Sequence, residues 1–93
     1  ANLESADLTE TILYDSSLRQ ADLSNANLTK VDLGEANLTG ANLTGANLSD
    51  AELSQTNLTD ANLSGANVRG ANLDQALMTK FAVNLRGATR PDG

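Results

Sequence analysis

Apolar residues recur along this chain with a strict period of five. In the five-residue frame that begins at Ala1, the third position is Leu in fourteen of sixteen units, and the two exceptions are Val68 and Met78. The first position is Ala in twelve units, and the second, fourth and fifth positions are mostly polar. The frame runs without a break over residues 1–80, so one repeating structural constraint acts on most of the chain.

A period of five excludes a long helix and a long flat strand. Five residues advance about 500° along an α-helix, so successive leucines would lie about 140° apart and no apolar face would persist. On a flat strand, an odd repeat would place successive leucines on opposite faces. The chain must therefore turn once in each unit, with the first and third side chains inside, and stacked coils must share one apolar core.

The tandem A-N-L-T-G units at 36–45, and their close variants up to residue 70, resemble the pentapeptide repeat proteins, many of them bacterial and especially cyanobacterial. The resemblance covers residues 1–80. It implies an all-β fold, a right-handed quadrilateral β-helix (solenoid) with four units per coil. The number four comes from the resemblance, because the spacing alone does not distinguish three sides from four. Residues 1–80 then form about four coils, and residues 81–93 form an out-of-phase closing segment and tail.

With four units per coil, residues twenty apart stack, and the third positions form four columns of core side chains. Each buried Leu is expected to contribute roughly 1.5 to 3 kcal/mol. The predicted structural core consists of Leu3, Leu8, Leu13, Leu18, Leu23, Leu28, Leu33, Leu38, Leu43, Leu48, Leu53, Leu58, Leu63, Val68, Leu73 and Met78. The residues predicted to close the bottom of the stack are Leu77, Phe81 and Leu85.

The polar positions and glycines predict how the coil is held. Asn or Asp in the second position and Ser or Thr in the fourth are expected to bond neighbouring backbone groups. The glycines expected to ease the bends are Gly34, Gly40, Gly45, Gly65 and Gly70. In the first coil, Ile12 and Tyr14 occupy outward positions. Its leucines form an open apolar end, which we expect an upstream segment or a second copy of the chain to cover.

Composition narrows the chemistry. The chain has no His and no Cys, which excludes Ser-His-Asp catalysis, His metal sites, thiolate metal sites and disulfides within it. Twelve acidic residues against six basic ones give a net charge of −6, which disfavours direct nucleic-acid binding. No apolar run reaches about eighteen residues, so no membrane span is expected. We therefore predict a non-enzymatic protein without cofactor or metal, in the cytoplasm, with the periplasm and the thylakoid lumen left open.

Charge is distributed unevenly around the coil. When the units are sorted by four, one face carries five carboxylates and no Lys or Arg. This face is the candidate partner-binding stripe, formed by Asp15, Asp32, Glu35, Glu52 and Asp74.

These observations predict a rigid scaffold that binds a protein partner which the sequence does not identify. The family resemblance implies an alternative, an acidic DNA mimic that binds or protects a type II topoisomerase such as gyrase. The chain lacks the inward Phe that such members often have, which lowers the weight of that alternative. A lesser alternative is an ice-binding or calcium-binding ladder, for example Thr39, Thr59 and Thr79.

Overall fold

A computed structural model describes residues 2–73 of the 93-residue chain. Within that range the backbone forms isolated parallel bridges and turns, with no helix and no continuous strand. Each bridge joins a second-position residue to the residue twenty positions later, as in Asp22 with Asn42 and Asn42 with Asn62. Twenty residues are four units, so residues 2–21, 22–41 and 42–61 form three stacked coils and residues 62–73 begin the next.

Backbone hydrogen bonds join each coil to its neighbours. The N–H of Leu23 donates to the carbonyl of Asn42 at 2.7 Å, and the N–H of Asn25 donates to the carbonyl of Thr44 at 2.8 Å. In the opposite direction, the N–H of Asn42 donates to the carbonyl of Ala21 at 2.9 Å. The same pattern repeats from unit to unit, so the polar backbone of the described coils is satisfied mainly between coils.

The corner of each unit is a hydrogen-bonded turn. The N–H of Ala26 donates to the carbonyl of Leu23 at 3.1 Å, and the residue between them in the fifth position, Asn25, has a φ of 59°. A positive φ at the third residue of a turn is the requirement of a type II turn. Among residues 2–73, ten residues other than Gly adopt a positive φ at this position, so the repeat imposes this conformation even where a side chain makes it unfavourable.

Glycine relieves that constraint at Gly40, Gly45, Gly65 and Gly70, which all lie in the fifth position with a positive φ. The expectation that Gly34 eases a bend is wrong. Gly34 lies in the fourth position, outside the residues with positive φ, and its lack of a side chain has another cause, described below.

The core is a stack of leucines and alanines. The leucines in the third position from Leu23 to Leu63 are at most 2 % exposed, and Val68 is 4 % exposed. In the first coil, by contrast, Leu3, Leu8, Leu13 and Leu18 are only partly buried, because no further coil among the described residues lies against that side. The leucines are therefore buried by stacking and not within a single coil.

One polar side chain lies inside this core. Thr56 replaces Ala in the first position and is completely buried. Its hydroxyl donates to the carbonyl of Leu33 at 2.8 Å, so the buried oxygen has a partner. A hydrogen bond of this kind offsets the desolvation of the hydroxyl, which is why a threonine is tolerated far from the open end.

Several predicted residues lie outside the described range. They are the core residue Met78, the stripe residue Asp74, the closing residues Leu77, Phe81 and Leu85, and the tail at 81–93. Among residues 2–73, no helix is both long and apolar enough to cross a membrane.

Candidate functional site

The third face of the coil contains the predicted acidic stripe. We use the name third face for residues 11–15, 31–35, 51–55 and 71–73, which stack one above another. Bridges join Ile12 to Asp32, Asp32 to Glu52, and Glu52 to Asn72. The four residues are therefore in register on successive coils, at the spacing of about 4.8 Å that separates neighbouring strands.

Most second-position side chains are bonded to their own unit. The side-chain oxygen of Asn42 accepts the N–H of Thr44 at 3.1 Å and its hydroxyl at 2.6 Å. Asp22 accepts the N–H and the hydroxyl of Ser24 in the same way, and these bonds lower the pKa of the Asp22 carboxyl below its ordinary value. Asn or Asp followed two residues later by Ser or Thr is therefore a recurring structural feature of the repeat.

The same rule applies to two members of the predicted stripe. One carboxylate oxygen of Asp32 accepts the N–H of Gly34 at 3.0 Å, and one of Glu52 accepts the N–H of Ser54 at 3.1 Å. Hydrogen bonding to the Ser54 side chain lowers the pKa of Glu52. Asp32 and Glu52 are partly buried, and one of their roles is to hold their own turns.

The other two described carboxylates project from the corner of the face. Asp15 and Glu35 occupy fifth positions in successive coils and are exposed. Asp15 makes no side-chain hydrogen bond within residues 2–73, whereas Glu35 accepts the hydroxyl of Tyr14 at 2.5 Å. The structure therefore places the projecting carboxylates of this face at one corner of its first two coils, beside an aromatic ring.

Tyr14 lies across Gly34 of the next coil. A Cβ added to Gly34 would come within 3.1 Å of Tyr14 Cδ2 and 3.2 Å of Asp32 Oδ1. Gly34 is buried although it has no side chain. Most fourth positions carry Ser or Thr, so the Gly at this place leaves the space that the tyrosine ring occupies.

Ile12 and Tyr14 are the large apolar side chains that the described coils expose, at 76 % and 53 %. Ile12 stands where the other units up to residue 75 have Asn, Asp, Glu or Ser. The Glu35 carboxylate next to Tyr14, through its hydrogen bond and its negative charge, raises the pKa of the Tyr14 hydroxyl above its ordinary value. The corner therefore combines apolar surface with an ordered phenol and two projecting carboxylates.

Sequence reasoning placed Ile12 and Tyr14 outward but did not connect them to the acidic stripe. Residues 14 and 35 are 21 positions apart, and they become neighbours only when the coil contains twenty residues. The signal that could have found the site is the apolar pair at two positions that are otherwise polar, together with Gly34 in the unit directly above.

The described residues give no support to the ice-binding or calcium-binding alternative. Among residues 2–73, no group of three or more acidic residues is arranged to hold a metal ion. The hydroxyls of Thr39 and Thr59 donate to Asn37 and Asn57 of their own units, at 2.6 and 2.7 Å. These donors are thus used within the fold.

Comparison with protein families gives one match. The model described as pentapeptide repeats matches the chain in eight copies, over residues 1–40 and 36–75. A comparison with curated proteins gives no match.

Solved structures of similar chains are also repeat proteins. The pentapeptide repeat protein alr5209 from Nostoc is 45 % identical, with a TM-score of 0.74 over 88 % of this chain. HetL from Nostoc, a pentapeptide repeat protein involved in heterocyst differentiation regulation, is 34 % identical with a TM-score of 0.62 over 99 %. A pentapeptide repeat protein of the Arabidopsis thaliana thylakoid lumen is 28 % identical with a TM-score of 0.64 over 88 %.

The chain is shorter than each of these proteins. It covers 62 % of alr5209, 52 % of HetL and 59 % of the Arabidopsis protein. The activities and partners of those whole proteins are therefore not assigned to this chain.

Proposed function

This chain belongs to the pentapeptide repeat family, and from that membership we propose that it is a non-enzymatic scaffold whose third face binds a basic surface of a partner protein. The observation that carries the proposal is the charge of that face. Its described part has four carboxylates and no Lys or Arg, whereas the second face mixes Lys30 and Arg69 with its carboxylates. Rigid coils hold these charges at fixed spacings, and such a surface steers an oppositely charged partner.

The test is a comparison of faces. The parent chain and two variants serve as bait in cell extract, and bound proteins are cross-linked and quantified. One variant, the third-face variant, neutralises the two projecting carboxylates of the third face by Asp15→Asn and Glu35→Gln. The control variant neutralises the first face by Glu4→Gln and Asp22→Asn, so the two variants have the same net charge. The proposal requires a protein that is retained by the parent and the control and lost from the third-face variant.

Equal retention by all three baits would contradict the proposal. So would a loss of the same size in both variants, because it would show a response to net charge alone. Circular dichroism of both variants checks that they are folded. Asp15 and Glu35 make no side-chain bond to the backbone of the described residues, so their neutralisation should leave the coil intact.

The observations favour this scaffold over a DNA mimic that acts on a type II topoisomerase. A mimic of duplex DNA needs projecting negative charge along its length, whereas Asp32 and Glu52 are bonded to their own turns. The second face also carries Lys30 and Arg69. A supercoiling assay with purified gyrase, with and without a quinolone, distinguishes the two functions.

For the parts of the fold outside the described residues, we infer what the family resemblance implies. The coil is right-handed with four sides, and the repeat continues to Lys80 and completes a fourth coil. Residues 81–93 form the closing segment and tail, and Leu77, Phe81 and Leu85 close the bottom of the stack. The partly exposed leucines of the first coil support a second inference, that an upstream segment or a second copy covers that end. Sedimentation over a range of concentrations tests whether a second copy does so.

A further inference from the structure

The unit T-I-L-Y-D at 11–15 departs from the rule that nearly every other described unit obeys, as does its neighbour at 16–20, which has Ser17 in the second position. Ile12 has no oxygen to accept the N–H of Tyr14, although in nearly every other described unit a second-position oxygen accepts the corresponding N–H. The isoleucine that replaces the usual polar residue is also 76 % exposed to solvent. It gives the fold neither a local hydrogen bond nor a well-buried side chain. Departures from a local rule without a folding gain are expected at functional sites.

Tyr14 is held in place before any partner binds. Its hydroxyl donates to Glu35 at 2.5 Å, and its ring lies over the position where Gly34 has no side chain. Just over half of the tyrosine remains exposed. An aromatic side chain that is already ordered loses little conformational entropy on binding, and this is why tyrosine is favoured in binding surfaces.

Negative charge surrounds the apolar pair. Asp15 is exposed in the same unit, and Glu35 is exposed in the unit directly above. Glu35 uses one carboxylate oxygen for Tyr14, and its second oxygen has no partner among residues 2–73. We refer to Ile12, Tyr14, Asp15 and Glu35 as the corner patch.

We propose that the corner patch binds an extended protein segment that presents an arginine next to an aliphatic side chain. A guanidinium group stacks on an aromatic face and forms paired hydrogen bonds with a carboxylate, which a lysine ammonium does not. The aliphatic neighbour packs on Ile12. This inference rests on the proposed function, because it specifies the partner chemistry of the third face.

The probe is the synthetic peptide Ac-Gly-Ser-Arg-Leu-Arg-Ser-Gly-amide. Tyr14 is the only Tyr and the chain has no Trp, so its intrinsic fluorescence reports directly on the patch. Nuclear magnetic resonance shifts of backbone amides give the location and a second measure of affinity. We expect perturbations at residues 12–15 and 32–35, and at least tenfold weaker binding when the peptide arginines are replaced by Gln. Replacing them by Lys should weaken binding to a smaller extent.

The decisive variant combines Ile12→Asn with Tyr14→Thr. It converts the unit at 11–15 to T-N-L-T-D, the sequence that the chain already has at 56–60, so it is expected to fold at least as well as the parent. We expect it to bind the peptide at least tenfold more weakly by nuclear magnetic resonance. The first-face variant, Glu4→Gln with Asp22→Asn, should bind as the parent does.

The outcomes separate this inference from the proposed function. Undiminished binding to the Ile12→Asn, Tyr14→Thr variant, with loss on neutralising Asp15 and Glu35, overturns the corner patch and leaves an acidic partner-binding face. Perturbations centred elsewhere, or no binding at millimolar peptide, also overturn the corner patch. The bait comparison described above then tests separately whether the third face binds a partner. Equal binding of the Arg and Gln peptides overturns the arginine chemistry.

Discussion

The first coil and the coils above it have the same sequence pattern and very different interiors. At residues 22–61 the third-position leucines are almost completely excluded from solvent, whereas Leu3, Leu8, Leu13 and Leu18 are only partly buried. The difference does not come from the units themselves, because Leu8 and Leu28 lie in the same column and in similar units. It comes from the number of neighbouring coils, so the stability of this fold is a property of stacking.

The two regions also differ in what they tolerate. Among residues 22–61, the inward polar side chain of Thr56 is fully buried and has a hydrogen-bond partner, and most outward side chains follow the repeat. The first coil has Thr11 and Ser16 inside and Ile12 and Tyr14 outside. Departures from the pattern thus collect where burial is incomplete, and that is also where the candidate site lies.

The largest expected effect is a buried charge in the interior. Leu48→Asp places a carboxyl group between two core neighbours with no partner. The cost of burying it, together with the leucine packing that is lost, is comparable to the roughly 5 to 15 kcal/mol that stabilises a typical domain. We expect no cooperative melt by circular dichroism. Leu8→Asp, in the same column but partly exposed, should melt cooperatively at a reduced temperature. A Leu48→Asp chain that melts close to the parent would refute the stacked core.

A smaller effect is expected at the corners. Gly45 and Gly65 have similar φ values of 69° and 67°. A Cβ on Gly45 would lie 2.5 Å from Asn25 Oδ1, whereas a Cβ on Gly65 would have no neighbouring atom within 4 Å. Gly65→Ala should therefore cost only the left-handed conformation, roughly 1–2 kcal/mol. Gly45→Ala should cost more, because the Asn25 side chain must move. Urea unfolding measures both, and equal losses would contradict the contact between coils.

The buried threonine provides the next comparison. Thr56→Val removes a hydrogen bond but keeps the shape, and Val31 shows that valine fits this position without exposure. We expect the free energy of unfolding to fall by about 1 kcal/mol, the usual contribution of one hydrogen bond. Thr11→Val in the first coil should change it little or raise it, since Thr11 is only partly buried. A larger loss of unfolding free energy from Thr11→Val than from Thr56→Val would contradict a stabilising hydrogen bond at Thr56.

The smallest effect is a response to acid that both regions share. Hydrogen bonds from Thr9 and Ser24 lower the pKa values of Asp7 and Asp22 below their ordinary values. Carboxylates with depressed folded pKa values stabilise the native state above their unfolded pKa near 4, and this contribution is lost as the pH falls through the folded pKa. Asp7→Asn with Asp22→Asn keeps neutral acceptors but removes this contribution, so the variant should be slightly less stable than the parent at pH 7.

The measurement is urea unfolding of both chains at pH 7 and at pH 3. The double variant should lose less stability than the parent between the two values. An identical loss in the two chains would show that these aspartates do not contribute to acid sensitivity.

The sequence predicted the turn in every unit because leucine at every fifth residue can be buried in no other regular way. It did not provide the number of units per coil, which came from the family resemblance and which the bridges twenty residues apart now give. The contact between Tyr14 and Glu35 depends on that number, and so does the position of Thr56 near the carbonyl of Leu33. Local patterning is therefore visible in a sequence, whereas contacts between coils need the register.

Hydrogen-bond scalar coupling between backbone nitrogen and carbonyl carbon tests that register most directly. In the described coils, the N–H of Leu28 donates to the carbonyl of Asn47 and the N–H of Leu43 donates to that of Asn62. Nuclear magnetic resonance should detect a coupling from each leucine nitrogen to the carbonyl carbon nineteen residues later. Couplings to a carbonyl four residues earlier, as in a helix, or fourteen residues later, as in a three-sided coil, would contradict the twenty-residue coil.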